Sequence, residues 1–388
     1  MTERQPFPLD WKDSLVAIGS AGFSLALYVR TLVPGLLPGD SGEFQILAHT
    51  LGHAHTTGYE VYLLLANLFT RLVPHGGIAY RVNLFSAVCG ALTVGLVYLD
   101  GKTLSRSRWA GLVGALALAL SSVFWSQAII AEVYTAGSVC VAAVLLLALL
   151  WFETRRGRFL FLAGLVGALA IGVHNFNSLF APAVAVLVLL SWRDLGRSWK
   201  PALGGIAAGL ALMATAFLVV DAQPTPTSTI DSVYRPSISR WDASPQALDS
   251  ITGRFAFLVF ARQWRPAMFT GDPGVVSANF DTLTRLSGED FSVPLRLLAL
   301  AGLIALFARR WRLGVFFSLA LLACMVYILN YHIGDIYVFF IPLYVYACAL
   351  VAEGAALLLR WLGGLRGGLP RPARAALGLL LAALAVAP

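Results

Sequence analysis

The feature that most constrains this chain is a succession of long apolar runs joined by loops whose charge alternates. The runs fall near 14–33, 82–99, 109–126, 133–152, 159–173, 178–192, 201–220, 294–308, 313–330, 336–358 and 374–388. A helix crossing the hydrocarbon core needs roughly 20 mostly apolar residues, fewer when packed among neighbours, so the pattern predicts about eleven spans. In lipid every backbone polar group must be satisfied internally, and the expected class is an all-α polytopic membrane protein. Composition agrees: 58% of residues are hydrophobic and 12% charged, against about 25% charged in water-soluble chains. Too little polar surface is present to cover a soluble globule, and the same deficit excludes a disordered chain, a coiled coil and a nucleic-acid binder. The first run follows polar residues and lacks a small-residue cleavage site, so it reads as an anchor. The last is short and stops at Pro388, as in a C-terminally truncated chain.

Orientation follows from the basic loops. Lys102, Arg106 and Arg108 share one loop, and Arg155, Arg156 and Arg158 the next on that side. Arg193, Arg197 and Lys200 follow, then Arg309, Arg310 and Arg312, then Arg360, Arg366, Arg371 and Arg374. All fall on the side of the N-terminal tail, with Arg4 and Lys12, and the positive-inside rule makes that side cytoplasmic. The formal charge of +8 is therefore a topology signal and not a nucleic-acid patch. The four cysteines lie inside apolar runs, which argues against a disulfide framework or a zinc site. All six histidines fall on the outer face, where two loops are long, roughly 34–81 and 221–293. No nucleotide fingerprint is present, and an outward site without one suits a lipid-linked substrate.

In the first outer loop, Pro38-Gly39-Asp40-Ser41-Gly42-Glu43-Phe44 stands where the first helix leaves the membrane. Proline and glycine break the helix there. Asp40 and Glu43 share a face if a helix restarts at Ser41. The stretches Phe44–Leu51 and Tyr59–Leu72 are amphipathic and too short to span, so they are expected along the membrane surface. Gly52 to Tyr59 forms a polar bend carrying His53 and His55. An interfacial aspartate can merely cap a helix, but ionisable groups at membrane depth are functional candidates by default.

The segments GDSGEF, TLGHAH, GY and YRVNLFSAVCGAL within Pro34–Leu99 resemble the bacterial membrane family that includes transmembrane protein 260, an O-mannosyltransferase. Phe124–Tyr134 and Tyr331–Phe340 resemble the second and third signatures of that family. The resemblance implies a type C glycosyltransferase fold that takes sugar from a polyprenyl phosphate. It places the active site in the first outer loop, about 34–81, beginning at an acidic residue that matches Asp40. The chain is then expected to be one membrane domain over 1–388. Two departures stand out. The family bend usually reads His-Pro-Pro-Gly-Tyr-Pro, whereas here it is His55-Thr56-Thr57-Gly58-Tyr59-Glu60, which removes fixed φ values and any cis bond. His332 stands where asparagine is usual.

On this reading a hydroxyl must lose a proton while a phosphate departs. Asp40 is expected as general base, with inversion at the anomeric carbon. Glu43 either orients the acceptor or opens the surface helix through the dipole effect. Glu132 reaches the same pocket or starts a span. His53, His55 and Tyr59 are expected to bind donor or acceptor. A two-residue histidine spacing with no third ligand disfavours zinc, whereas Asp40, Glu43 and Glu132 can hold a divalent cation. Arg254, Arg262 and Arg265, on an expected amphipathic helix Pro245–Arg265, suit a lipid phosphate, with snorkelling as the alternative. Arg81, His174 and Asp335 are further binding candidates whose alternative role is capping. The expected partners are a polyprenyl-phosphate-linked hexose such as mannose, a protein, glycan or lipid acceptor, and membrane lipid, at the outer face of the cytoplasmic membrane. A transporter or lipid-linked glycan flippase is the alternative. Such proteins place charged or interrupted helices near the midplane, often in paired halves; here the ionisable residues gather at the outer ends and no repeat is visible.

Overall fold

The computed structural model describes residues 8–196, 198–223 and 225–364; the run expected at 374–388 lies outside them. The described residues are helical apart from turns, loops and one isolated bridge between Met268 and Tyr331. In chain order the helices are α1 (Trp11–Arg30), α2 (Gly39–Thr50), α3 (Glu60–Leu72), α4 (Ile78–Ser105), α5 (Arg108–Ala119), α6 (Ser122–Ala128), α7 (Tyr134–Thr154) and α8 (Gly157–Leu169). There follow α9 (Ala181–Leu190), α10 (Trp192–Leu195), α11 (Trp199–Asp221), α12 (Ile251–Val259), α13 (Pro273–Asp290), α14 (Val293–Leu329) and α15 (Phe340–Gly364).

Five helices among the described residues are long and apolar enough to cross a membrane: α4, α7, α11, α14, and α15 with the turn before it. A sixth appears if α5 and α6, bent by 67°, count as one span. The chain is a multi-pass membrane protein, and the expected runs map onto helices that differ in length and straightness. Serine 121 caps α6 through Phe124 N, which breaks one run. The runs at 159–173 and 178–192 pass into 3₁₀ turns at Ala170–Gly172 and Asn175–Phe180. The two spans expected at 294–308 and 313–330 are the two arms of α14, whose regularity fails between them at Arg310 (φ −147°, ψ 54°). A straight helix of this length would run about 55 Å. Instead both ends of α14 lie near the start of α15: Phe291 meets Tyr344 at 4.6 Å and Tyr331 meets Phe339 at 5.4 Å between ring centroids. The helix turns back at Arg310.

Small residues let the central helices approach closely, as in membrane bundles generally. A methyl group on Gly114 of α5 would collide with the Cys348 carbonyl of α15, and one on Gly354 with the Leu298 carbonyl of α14. The start of α1 is fixed by a capping box between Asp10 and Asp13, and both acids bind Arg108 of α5. Helices α2 and α3, the expected surface pair, pack on α4 beside this core. The helix expected over Pro245–Arg265 is shorter. Ser250 caps α12 by accepting from Gly253 N, and Ala261 takes φ +50° just beyond its end.

Candidate active site

Local sequence sets the position of Asp40. Pro38 is extended, Gly39 takes φ +68°, and α2 begins there; glycine accepts that left-handed backbone without a Cβ penalty. Asp40 and Glu43 then project from one face of the first turns. Phe44 anchors the helix beneath, its ring 5.7 Å from His55 and 5.2 Å from both Tyr59 and Tyr62. After Leu51 the chain folds back through Gly52–Tyr59, bringing His55 over the two carboxylates.

His55 joins them. Its Nδ1 lies 2.5 Å from Glu43 Oε2, and its backbone N–H donates to Glu43 Oε1 at 2.9 Å. The Thr229 hydroxyl, from the second outer loop, donates to the same Glu43 oxygen. The other ring nitrogen faces the Tyr59 hydroxyl at 3.1 Å and Asp40 Oδ2 at 3.6 Å. Burial opposes charge on both His55 and Glu43, but their mutual hydrogen bond and attraction outweigh it. Glu43 is held below the usual carboxyl range and His55 above the usual imidazole range. Asp40 is the open member, its side chain 54% exposed. Asp40, Glu43 and His55 each offer one ligand atom within 4.8 Å of the others, a set of two carboxylates and an imidazole that can hold a divalent cation. Glu132, expected in that set, instead accepts from the Ser41 hydroxyl at 2.8 Å while its backbone N–H is held by Ser86. Burial, reinforced by the Asp40 charge and only partly offset by Ser41, pushes its carboxyl up to about 8.

Asp40 and His55 open onto a cavity of about 400 Å³. Tyr59, His174, Arg265 and Asp335 also line it, with Tyr134, Asn175, Trp264 and Tyr331. Burial, with His55 nearby, lowers His174 to about 3. Burial raises Asp335, and the Asp40 charge adds to it. The cavity therefore presents the Asp40 and Asp335 carboxyls, the His55 imidazole, the Arg265 guanidinium and an aromatic wall.

The other expected residues lie elsewhere. His53 is 4% exposed and turns away, with Nε2 3.0 Å from Asp221 and Nδ1 3.4 Å from Glu60. Arg254 donates to both Asp221 oxygens at 2.6 Å. Arg262 is taken up by the Trp241 and Asp242 carbonyls. Arg81 binds the Thr70, Pro74 and Gly76 carbonyls and so fixes the turn between α3 and α4. The structure also brings in residues that spacing did not reveal. The Tyr234 hydroxyl accepts from Thr56 N at 2.8 Å, and Trp264 Nε1 donates to Thr56 O at 3.0 Å, so the second outer loop grips the bend. The loss of a cis bond expected with the prolines is not observed: the Thr56–Thr57 peptide is cis. Gln45 and Asn83 bond each other at 2.8 Å and hold the Gly35 carbonyl, fixing the approach to Asp40.

Residues 40–195 match the family model of the protein O-mannosyl-transferase TMEM260 N-terminal domain. Over 184 residues, 47% of this chain, the identity to the protein O-mannosyl-transferase TMEM260 of Mus musculus is 32%, covering 26% of that protein. The Dictyostelium discoideum protein of the same name is 27% identical over 132 residues, 34% of this chain and 16% of its own length. The chain thus matches about a quarter or less of these curated relatives. Among solved structures, ArnT from Cupriavidus metallidurans bound to undecaprenyl phosphate superposes with a TM-score of 0.60 at 14% identity, covering 96% of this chain and 69% of that one. The archaeal oligosaccharyltransferase AglB from Archaeoglobus fulgidus, in complex with an inhibitory peptide and a dolichol-phosphate, gives 0.56 at 13% identity over 97% and 55%. The type C glycosyltransferase fold is borne out, and so is the resemblance to the transmembrane protein 260 family, carried by residues 40–195.

Proposed function

We propose, from this kinship, that the chain is a membrane glycosyltransferase moving a hexose such as mannose from a polyprenyl phosphate to a hydroxyl acceptor, such as a Ser or Thr of an exported protein. The observation that carries the reading is Asp40, half-exposed on the wall of the cavity and backed by the His55–Glu43 pair. In the proposed step the acceptor hydroxyl gives its proton to Asp40 Oδ while its oxygen attacks the anomeric carbon from the face opposite the phosphate. The anomeric C–O bond breaks, its electron pair leaves on the polyprenyl phosphate, and the configuration inverts. His55, charged through Glu43, faces Asp40 at 3.6 Å. Arg265 is the guanidinium of the cavity wall, suited to the departing phosphate. Tyr59, Tyr134 and Trp264 offer ring faces to the sugar. His174 and Asp335 offer hydrogen bonds to its hydroxyls, and Glu132 holds Ser41 beside Asp40. A divalent cation held by Asp40, Glu43 and His55 would take the place of the imidazolium proton as the positive charge of the site.

The site faces the outer side of the cytoplasmic membrane, because the basic loops mark the other side as cytoplasmic. The test is transfer of label from radiolabelled polyprenyl-phosphate mannose to membrane and periplasmic acceptors. Wild type runs beside Asp40→Asn, with and without chelator. Label should move only with wild type. Near-wild-type turnover by a folded Asp40→Asn protein would remove the base assignment, and failure across several prenyl-linked sugars would remove the transferase reading.

A further inference from the structure

A second cavity, of about 270 Å³, lies at the end of the bundle away from Asp40. It is walled by the last turn of α4, the C-terminal parts of α7 and α15, and the bend of α14. Four guanidiniums and two carboxylates line it: Arg106, Arg309, Arg310, Arg360, Glu153 and Glu353. Each carboxylate is divided between two arginines. Glu153 accepts from Arg106 and Arg310. Glu353 accepts from Arg360 at 3.3 Å and stands 3.6 Å from Arg309. The lining therefore carries four positive charges against two negative ones. Charges withdrawn from water are costly unless paired, and guanidiniums cannot relieve their repulsion by losing protons.

The position of this cavity along the membrane normal is marked by tryptophan. Trp311 and Trp361, next in sequence to Arg310 and Arg360, are 52% and 63% exposed. Exposed tryptophan beside arginine belongs to the headgroup level. The arginines are also held in place. Arg310 donates to the Leu104 carbonyl at 3.0 Å and Arg360 to the Ser105 carbonyl at 3.2 Å, both at the C-terminal end of α4. Their forks are thus fixed towards the cavity, while Arg309 is partly exposed beside them.

We propose that this cavity binds the phosphate of an anionic phospholipid headgroup, gripped by Arg309 and Arg360 with Arg106 and Arg310 behind. The planar fork of arginine matches two phosphate oxygens at once, and basic pockets between spanning helices take lipid headgroups in this way. One phosphodiester charge offsets half of the excess. A zwitterionic headgroup brings its own cation and offsets none, so the cavity selects anionic lipid. The site is independent of the Asp40 cavity and of the reaction proposed for it.

The test titrates the purified full-length protein in detergent micelles with phosphatidylglycerol, with phosphatidylcholine and with inorganic phosphate, reading bound ligand per chain by native mass spectrometry. One saturable phosphatidylglycerol per chain is expected, binding about tenfold or more tighter than phosphatidylcholine. Arg309→Gln should weaken it about tenfold and Arg309→Lys less, since lysine keeps the charge but loses the fork. Arg309 is partly exposed and leaves Glu353 with Arg360 when removed, so this variant tests the site without emptying a buried ion pair. Saturation by inorganic phosphate, with no gain from phosphatidylglycerol, would keep the anion site and assign it to a soluble phosphate. Equal binding of the two lipids by wild type, or unchanged affinity in an Arg309→Gln/Arg360→Gln double variant, would overturn the proposal.

Discussion

Replacing Asp221 by Asn should loosen the second outer loop from the first without disturbing the bundle. Asp221, 7% exposed, accepts two of the Arg254 hydrogen bonds at 2.6 Å and faces His53 at 3.0 Å. His53 in turn accepts from Thr229 N through its carbonyl at 2.8 Å, and Thr229 holds Glu43. The substitution removes the charge and leaves a guanidinium and a 4% exposed imidazole underpaired. Breaking a buried pair costs about 3–5 kcal/mol. Arg254 keeps some solvent contact, with 18% of its side chain exposed, which brings the figure to about 2–3 kcal/mol. If the opening is local, amide exchange across residues 225–265 should accelerate roughly 30- to 150-fold, at tenfold per 1.4 kcal/mol. Hydrogen-exchange mass spectrometry in nanodiscs reads this directly, with α4 peptides as the internal reference. Unchanged protection in the loop would refute the coupling. Equal acceleration in α4 would show that Asp221 holds the whole bundle instead.

Three further outcomes follow from the geometry. Asp40→Asn should abolish sugar transfer while leaving the melting temperature within about 1 °C, since surface changes cost little; a large melting shift would show that Asp40 is structural. Glu132 has its carboxyl at about 8 when folded against 4.5 ordinarily, so the folded chain keeps a proton that the unfolded chain releases. Its stabilisation is full below the lower value and lost as pH rises through the upper one; wild type should lose melting temperature across that window and Glu132→Gln should not, and parallel profiles would sink the assignment. Gly114→Val should destabilise by about 1–3 kcal/mol through overpacking on α15, whereas Gly19→Ala, with open space around it, should leave the melting temperature unchanged or raised; detergent thermal melts separate the two.

The apolar runs made the fold class legible, and the Asp40–Glu43 spacing made the shared face legible before any coordinates. Span continuity was not. A hydropathy run does not register that Ser121 caps a new helix, because that depends on one residue inside a long window, whereas the reversal of α14 at Arg310 was announced by the basic loop between the runs 294–308 and 313–330. The arginines show a second limit. Spacing put Arg254, Arg262 and Arg265 on one helix, but only Arg265 lines the cavity. The partner of Arg254 lies 33 residues away at the end of α11, and the carbonyls that take Arg262 belong to an irregular turn. Thr229, Tyr234 and Trp264 escaped notice for the same reason. They come from a segment without periodicity, and their meaning lies in contacts with the bend at Thr56.

The cavity wall is divided along the chain. Asp40, His55, Tyr59, Tyr134, His174 and Asn175 fall within the matched segment 40–195, whereas Trp264, Arg265, Tyr331 and Asp335 come from beyond it. A chimaera joined after residue 195 would keep Asp40 and His55 and exchange Trp264, Arg265, Tyr331 and Asp335. On the proposed reading, such an exchange replaces the guanidinium suited to the leaving phosphate and part of the sugar-facing wall, while Asp40 and His55 stay.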